Sequence, residues 1–222
     1  MQPTVFIVDD DPGVRAALES LLRSVDLGVR TFASIPELSS IGRLEAPACL
    51  ILDVRLPGES GLDFQKKLSS SHVGLPVIFL TGHGDIPMTV QAMKEGAVEF
   101  LTKPFREEDL LDAIRAALAK HSAWLESQKG VAELQLRYQS LSAREREVVS
   151  QVVKGKLNKQ IAVEIGLSEI TVKVHRGRAM RKMQAASLPD LARMCDKLSA
   201  AGAIAPYSPA GKAGGASMRH AD

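Results

Sequence analysis

The chain has 222 residues, 45% of them hydrophobic, 24% charged and 4% aromatic, with a formal net charge of +2. Such a length suits one large domain or two small ones, and a charge so near zero argues at first sight against a strongly basic nucleic-acid binder. The total conceals a division: residues 1–122 hold 12 Lys and Arg against 17 Asp and Glu, a net of −5, whereas residues 123–222 hold 16 against 9, a net of +7. The halves are expected to seek different partners. No basic stretch followed by a long apolar run opens the chain, and no apolar run approaches the roughly 20 residues that cross a bilayer, so neither a secretory leader nor a membrane span is expected. Cys49 and Cys195 stand alone, without CxxC or Cys/His spacing, which speaks against a disulfide framework or a structural zinc site. A soluble cytoplasmic protein is the expectation.

In chain order, the first 120 residues alternate short apolar runs with helical patterns. Residues 4–8, 28–32, 49–52, 76–80 and 99–101 read as five strands, several too uniformly apolar for a sheet wetted on one face. Asp11 before Pro12 marks a helix start, and Ser34 with Glu37 has the capping-box spacing. Val14, Ala17, Leu18, Leu21, Leu22 and Val25 keep one apolar face on the first helix. Five strand–helix pairs imply an α/β doubly wound, five-stranded parallel sheet of flavodoxin-like type, with strand order 2-1-3-4-5.

Residues 119–140 suit a helix that breaks at Gly130. Trp124, Val131 and Tyr138 fall seven apart with Leu134 between them, which fits either a short dimerising coil or a linker helix resting on its own domain. From Leu141 the pattern is all-α: Ser142 and Glu145 open a helix to about Val153, and residues 158–165, 168–183 and 189–198 supply three more. Residues 199–222 contain 8 Ala, 4 Gly, 3 Ser and 2 Pro, too little apolar bulk for a core, so a disordered tail is expected. The expected divisions are 1–120, a linker helix 121–137, a helical domain 138–200 and the tail 201–222.

Ligands of open parallel sheets bind outside the carboxyl ends of the strands. There the sequence places Asp9 and Asp10 after the first strand, Asp53 after the third, Thr81 after the fourth and Lys103 after the fifth. Crowded carboxylates repel unless a cation sits among them, and all-oxygen donors suit Mg2+. A carboxylate can also attack phosphorus to give an acyl phosphate when metal and ammonium neutralise the charge. Asp53 is then the nucleophile candidate, Asp9 and Asp10 serve the metal, and Lys103 meets a phosphoryl oxygen. Singly, each has an ordinary explanation as a helix cap or a solvated charge.

The segments FIVDDD (6–11), LDVRLPGESG (52–61), TGHGDIPM (81–88) and AVEFLTKPF (97–105) resemble a response-regulator receiver domain of the FixJ type, from about residue 4 to 118. The resemblance implies phosphorylation of Asp53 by a sensor histidine kinase, with Mg2+ held by Asp9, Asp10, Asp53 and the main-chain carbonyl of Arg55. It further implies a switch in which Thr81 swings to the phosphoryl group and Phe100 follows inward, and a Lys103–Pro104 bond that is often cis. Read without the family, Phe100 is a core residue. His72 and His83 read as surface or loop residues, and His121 and His220 carry no signal.

In the second half, residues 158–165, Gly166 as a left-handed stop and Ser168 as the next N-cap make a helix–turn–helix arrangement. With Val172, Ala179 and Met183 as its buried stripe, the second helix turns Lys173, Val174, Gly177, Arg178 and Arg181 outward. Between Thr171 and Met183 stand five Lys or Arg and no acid. Such a face suits the major groove, with Val174 able to touch a thymine methyl and Gly177 admitting close approach, although a charge run is also often a solvated face. Lys154, Lys159 and Thr171 are placed for phosphates, and Asn158 is counted with them among the DNA-binding residues. Arg176 is assigned to an intradomain salt bridge and His175 to packing or capping. The segments LSAREREVV (141–149), NKQIAVEIGLSEITVKVHR (158–176) and RKMQAASL (181–188) resemble a LuxR-type helix-turn-helix DNA-binding domain, over about residues 138–198.

Together the resemblances imply a two-component transcription factor that dimerises on phosphorylation through the fourth helix and fifth strand, including residues 88–99. Its partners would be a sensor histidine kinase, promoter DNA and RNA polymerase, with no membrane involvement and no dedicated enzymatic activity. Two other readings stand beside it. An aspartyl-phosphate phosphatase uses the same nucleophile and metal but needs a second acid two residues on, where this chain has Arg55. A receiver that works without phosphate, as an interaction module, would not need the full acid set.

Overall fold

The computed structural model describes residues 2–38, 44–70, 73–82 and 84–205. The expectations for His72, His83, His220 and most of the tail lie outside the described residues. The chain divides into two compact units, Met1–Ser127 and Gln128–Asp222.

The first unit is built on five parallel strands, β1 (Thr4–Val8), β2 (Gly28–Phe32), β3 (Ala48–Leu52), β4 (Val77–Thr81) and β5 (Glu99–Thr102), in the order β2-β1-β3-β4-β5. Alternate residues of a strand face opposite sides of the sheet. Phe6, Val8, Leu50, Leu52, Val77 and Phe79 accordingly meet α2 (Ile35–Leu38), α3 (Gly61–Ser70) and α4 (Ile86–Lys94) on one side. Val5, Ile7, Cys49, Ile51, Ile78 and Leu80 meet Leu18 and Leu22 of α1 (Pro12–Ser24) and Leu110 and Ile114 of α5 (Glu107–Gln139) on the other. Both faces of β3 and β4 are fully covered, which is why those strands read as unbroken apolar runs. Each large aliphatic side chain buried this way contributes about 1.5–3 kcal/mol relative to exposure.

Helix starts follow the capping chemistry. The Asp11 carboxylate accepts from the N–H of Gly13 at 2.7 Å, with Pro12 at the first helical position of α1. Ser34 and Glu37 meet differently from a simple capping box: the Ser34 hydroxyl donates to the Glu37 carboxylate, which also accepts the Ala33 N–H at 3.0 Å. The apolar face of α1 stops short of Val25, which caps the helix and is exposed.

Two expectations for the region after residue 119 are corrected. Gly130 does not break the helix; α5 runs through it, because good helix formers around one glycine outweigh its cost of about 1 kcal/mol. His121 does carry structure: it is fully buried, its Nδ1 accepts the N–H of Ala48 at 2.8 Å, and its ring stacks on Trp124 at 5.6 Å. The residue thus ties α5 to the first residue of β3, the strand that leads to Asp53. Of the seven-spaced residues, Trp124 packs in the first unit over Gly74, while Val131, Leu134 and Tyr138 pack against the core of the second.

The second unit adds α6 (Ala143–Val152), α7 (Asn158–Ile165), α8 (Glu169–Met183) and α9 (Leu188–Ala200). Its core gathers Leu141, Val148, Val149, Ile161, Val172, Ala179, Met183, Leu191, Cys195 and Leu198. The Ser142–Glu145 capping box forms in both directions, and Gly166 adopts the left-handed conformation, φ 67° and ψ 38°, that ends α7 and turns the chain into α8.

Candidate functional site

The carboxyl edge of the sheet gathers the acidic residues because the ladder bonds continue past the strand ends. The Asp9 N–H reaches Phe32 O at 3.3 Å, the Asp53 N–H reaches Val8 O at 3.0 Å and the Lys103 N–H reaches Thr81 O at 2.8 Å. Neighbouring strands therefore deliver Asp9, Asp53, Thr81 and Lys103 side by side. The Lys103 ammonium donates to Asp9 Oδ2 at 2.6 Å and to Asp53 Oδ2 at 3.2 Å. The other Asp9 oxygen accepts the Asp11 N–H at 2.9 Å, and the other Asp53 oxygen accepts the Arg55 N–H at 3.0 Å. Asp9 is almost wholly buried, Asp53 partly covered and Asp10 exposed, yet one carboxylate oxygen from each lies within 4.8 Å of the others.

Burial opposes the Lys103 charge, but its hydrogen bond to Asp9 and the charges of Asp53 and Asp9 outweigh that cost and hold the ammonium above its ordinary range. Lys103 is thus a fixed cation at the position where anionic oxygens would gather. The peptide bond from Lys103 to Pro104 is cis. Thr81 is buried at the end of β4, and Phe100 is already inside, its ring 5.9 Å from that of Phe79 and beneath Gly84, where a Cβ would come within 2.8 Å of it. Arg15, which no sequence signal marked, donates to the Asp9 carbonyl at 2.6 Å.

Oxygen donors this close, all anionic and at graded depth, have the chemistry of a hard divalent-cation site. Receiver domains generally bind Mg2+ at such a cluster, and the residues present here fit it.

In the second unit the basic residues of α8 separate into two groups. Lys182 donates to Ser140 O at 3.1 Å and to Glu145 Oε2 at 2.6 Å, and Arg176 donates to Asn158 Oδ1 at 3.0 Å. Arg176 thus pairs with an amide, not with a carboxylate as the sequence suggested, because Asn158 at the start of α7 is the group brought opposite it. Lys173, Val174, Arg178 and Arg181 are exposed, Lys159 is exposed, and Lys154 and Asn158 are half-buried. The Thr171 hydroxyl lies 2.7 Å from that of Ser168 in the N-cap of α8. His175 is half-buried. Glu145 is a buried acid; the Lys182 hydrogen bond and the Ser142 cap hold its carboxyl below the usual range against the opposing effect of burial. No described helix is long and apolar enough to cross a membrane.

Comparison with known proteins agrees with this division. Residues 5–115 match the response regulator receiver domain, and residues 139–195 match the bacterial regulatory proteins of the luxR family. Nodulation protein W of Bradyrhizobium diazoefficiens is 51% identical over 194 residues, covering 87% of this chain and 86% of that protein. The transcriptional regulatory protein FixJ of Azorhizobium caulinodans is 42% identical over 190 residues, covering 86% and 90%. Among solved structures, the response regulator StyR superposes with a TM-score of 0.73 at 45% identity, covering 89% of this chain and all of that one. Full-length FixJ from B. japonicum superposes with a TM-score of 0.51 at 35% identity, covering 89% and 97%.

Proposed function

The chain belongs to the two-component response regulators that join a receiver to a LuxR-type DNA-binding domain and regulate transcription, and we propose that phosphorylation of Asp53 switches its DNA binding. The observation that carries the reading is the Lys103 ammonium held between Asp9 and Asp53 at the carboxyl edge of the sheet. In the proposed step an Asp53 carboxylate oxygen attacks the phosphorus of a phosphohistidine on a sensor kinase. The P–N bond breaks, and the imidazole leaves with its electron pair and takes up a proton. Lys103 meets the phosphoryl oxygens, and the buried Thr81 hydroxyl turns to them, with Phe100 moving alongside as the second switch residue. Asp9, Asp10, Asp53 and the Arg55 carbonyl are the proposed Mg2+ ligands; the ion, when bound, offsets negative charge on the transferring group.

Phosphorylation adds about −1.5 to −2 charge, judged from other phosphoresidues, and shifts a two-state receiver. Ile86, Val90 and Met93, an exposed apolar stripe on α4, support that face as the dimer surface. Dimerisation presents two copies of α8 to two half-sites of promoter DNA. Lys173, Val174, Gly177, Arg178 and Arg181 are the proposed base-facing residues, with Lys154, Asn158, Lys159 and Thr171 on phosphates and RNA polymerase as the downstream partner. The working boundaries are a receiver over 1–120, a linker helix over 121–137, a DNA-binding domain over 138–200 and a tail from 201. The test is phosphotransfer from acetyl phosphate: one Mg2+-dependent, base-labile phosphoryl group on the Asp53 peptide is expected. Phosphate elsewhere, or turnover of added phosphoesters, would replace this reading with another.

A further inference from the structure

The first unit has a second concave region, at the end of the sheet opposite the acidic edge. A cavity of about 310 Å3 lies where β4 begins, walled by Leu68 of α3, Leu75 and Pro76 before β4, and Trp124 of α5. That volume stands at the lower end of the range for small-molecule sites. A strand rises about 3.3 Å per residue, so the length of β4 from Val77 to Thr81 sets the cavity about 13 Å from the acidic edge. The Trp124 wall is held in place, its ring stacked on His121 and lying over Gly74. Two polar side chains complete the lining: Gln65 of α3, and Glu95 in the turn between α4 and β5.

Gln65 is 2% exposed, and its Nε2 donates to the Ala92 carbonyl at 3.3 Å, which settles the orientation of the amide and leaves Oε1 as an acceptor. Among the described residues Gln65 Oε1 has no hydrogen-bond partner. Glu95 Oε1 accepts from Gln91 Nε2 at 3.1 Å and lies 3.6 Å from the Lys66 ammonium, yet the covered Glu95 Oε2 has no partner either. Buried acceptors are nearly always paired, because leaving water without a replacement is costly. Both oxygens sit beneath the cavity wall, and a small turn of the terminal torsion, which is broad in Gln and Glu, brings each onto it. Since both accept, and one belongs to a carboxylate, the complementary group is a cation with at least two N–H donors. A hard metal ion is unsuited, because it takes six or more ligands, mostly oxygens, and the remaining walls are largely apolar. Lys120, the other charged residue of the lining, is exposed and can keep its ammonium in water. We infer that this cavity binds a small organic cation, an amidinium, guanidinium or primary ammonium on an apolar body. The head lies between Gln65 and Glu95, and the body rests against Leu68, Leu75 and Trp124.

The test uses the full-length protein with benzamidinium as the probe and benzamide, neutral and of nearly the same shape, beside it. Titration calorimetry reads the affinities, and the emission of Trp124, the one tryptophan of the chain, reports occupancy of the cavity it lines. Benzamidinium should bind about tenfold more tightly than benzamide, the share of a charge-assisted hydrogen bond, and should shift the Trp124 emission. Glu95→Gln keeps the shape and removes the charge, so the two probes should then bind alike. Lys66→Ala, at an exposed side chain, removes the cation that partly neutralises Glu95. It should tighten benzamidinium and leave benzamide unchanged, an effect that a merely structural Glu95 would not produce. Equal affinity of wild type for the two probes, or binding that leaves Trp124 unmoved, overturns the inference. Failure of both probes to bind at millimolar concentration also overturns it and makes the cavity a site for water alone.

Discussion

The acidic edge of the receiver sheet and the outer face of α8 both concentrate charge, but they hold it in opposite ways. At the sheet edge, Asp9, Asp53 and Lys103 are partly or almost wholly buried and bonded to one another and to backbone N–H groups. On α8, Lys173, Arg178 and Arg181 stand in water, while the two bases that do form bonds, Arg176 and Lys182, hold the domain together. Buried charges need fixed partners and gain strong interactions in exchange, which suits chemistry at one atom. Exposed charges keep their freedom until a polyanion arrives, which suits recognition.

The largest effect expected from this contrast follows Lys103→Ala. With its cation gone, the crowded acid pair costs the first unit about 1–3 kcal/mol in metal-free buffer, and added Mg2+ restores part of the loss. Denaturant unfolding followed by Trp124, the one tryptophan of the chain, reads this directly. An unchanged midpoint would mean that the ammonium does not offset the acids. Glu145→Ala comes next, removing the capping box of α6 and the Lys182 bond, with an expected loss of about 1–2 kcal/mol confined to the second unit. Circular dichroism should show that transition moving while the Trp124 signal stays.

Acid separates the units by a smaller margin. Burial holds the His121 imidazole below its ordinary value of 6.5, so the neutral form is favoured by folding; its contribution is present above pH 6.5 and is lost as pH falls through the lower folded value. Glu145 is also depressed, from 4.5, so its contribution survives until pH falls below that value. The first unit should therefore begin to weaken at a higher pH than the second. His121→Gln should abolish the early loss, and coincident acid transitions in the two units would contradict the assignment. The smallest effect belongs to Arg178→Ala: stability stays within about 0.5 kcal/mol, while the slope of log affinity for DNA against log salt falls by about 0.9 for each phosphate the side chain would otherwise neutralise.

Most of this architecture is legible because its signals are local. Apolar runs of strand length, Asp11 before Pro12, and Gly166 before Ser168 state their structures within a few residues, and the parallel-sheet rule then brings Asp9, Asp53, Thr81 and Lys103 together. What escapes depends on distant partners or on the middle of an element. His121 gives no signal because its acceptor role depends on Ala48, 73 residues away. Gly130 looks like a break because propensity is a weak guide inside a long helix. Arg176 suggests a carboxylate partner because charge suggests ion pairs, whereas the fold offers Asn158. Gln65 stands out only once its burial and its unpaired oxygen are known, since glutamine is ordinarily a surface residue.

The central claim, that phosphate on Asp53 drives assembly on DNA, is tested most directly by the mass of the full-length protein in sedimentation equilibrium, before and after acetyl phosphate with Mg2+. Wild type should pass from monomer to dimer while Asp53→Ala stays monomeric under both conditions. Equal dimerisation of the two proteins would contradict the account.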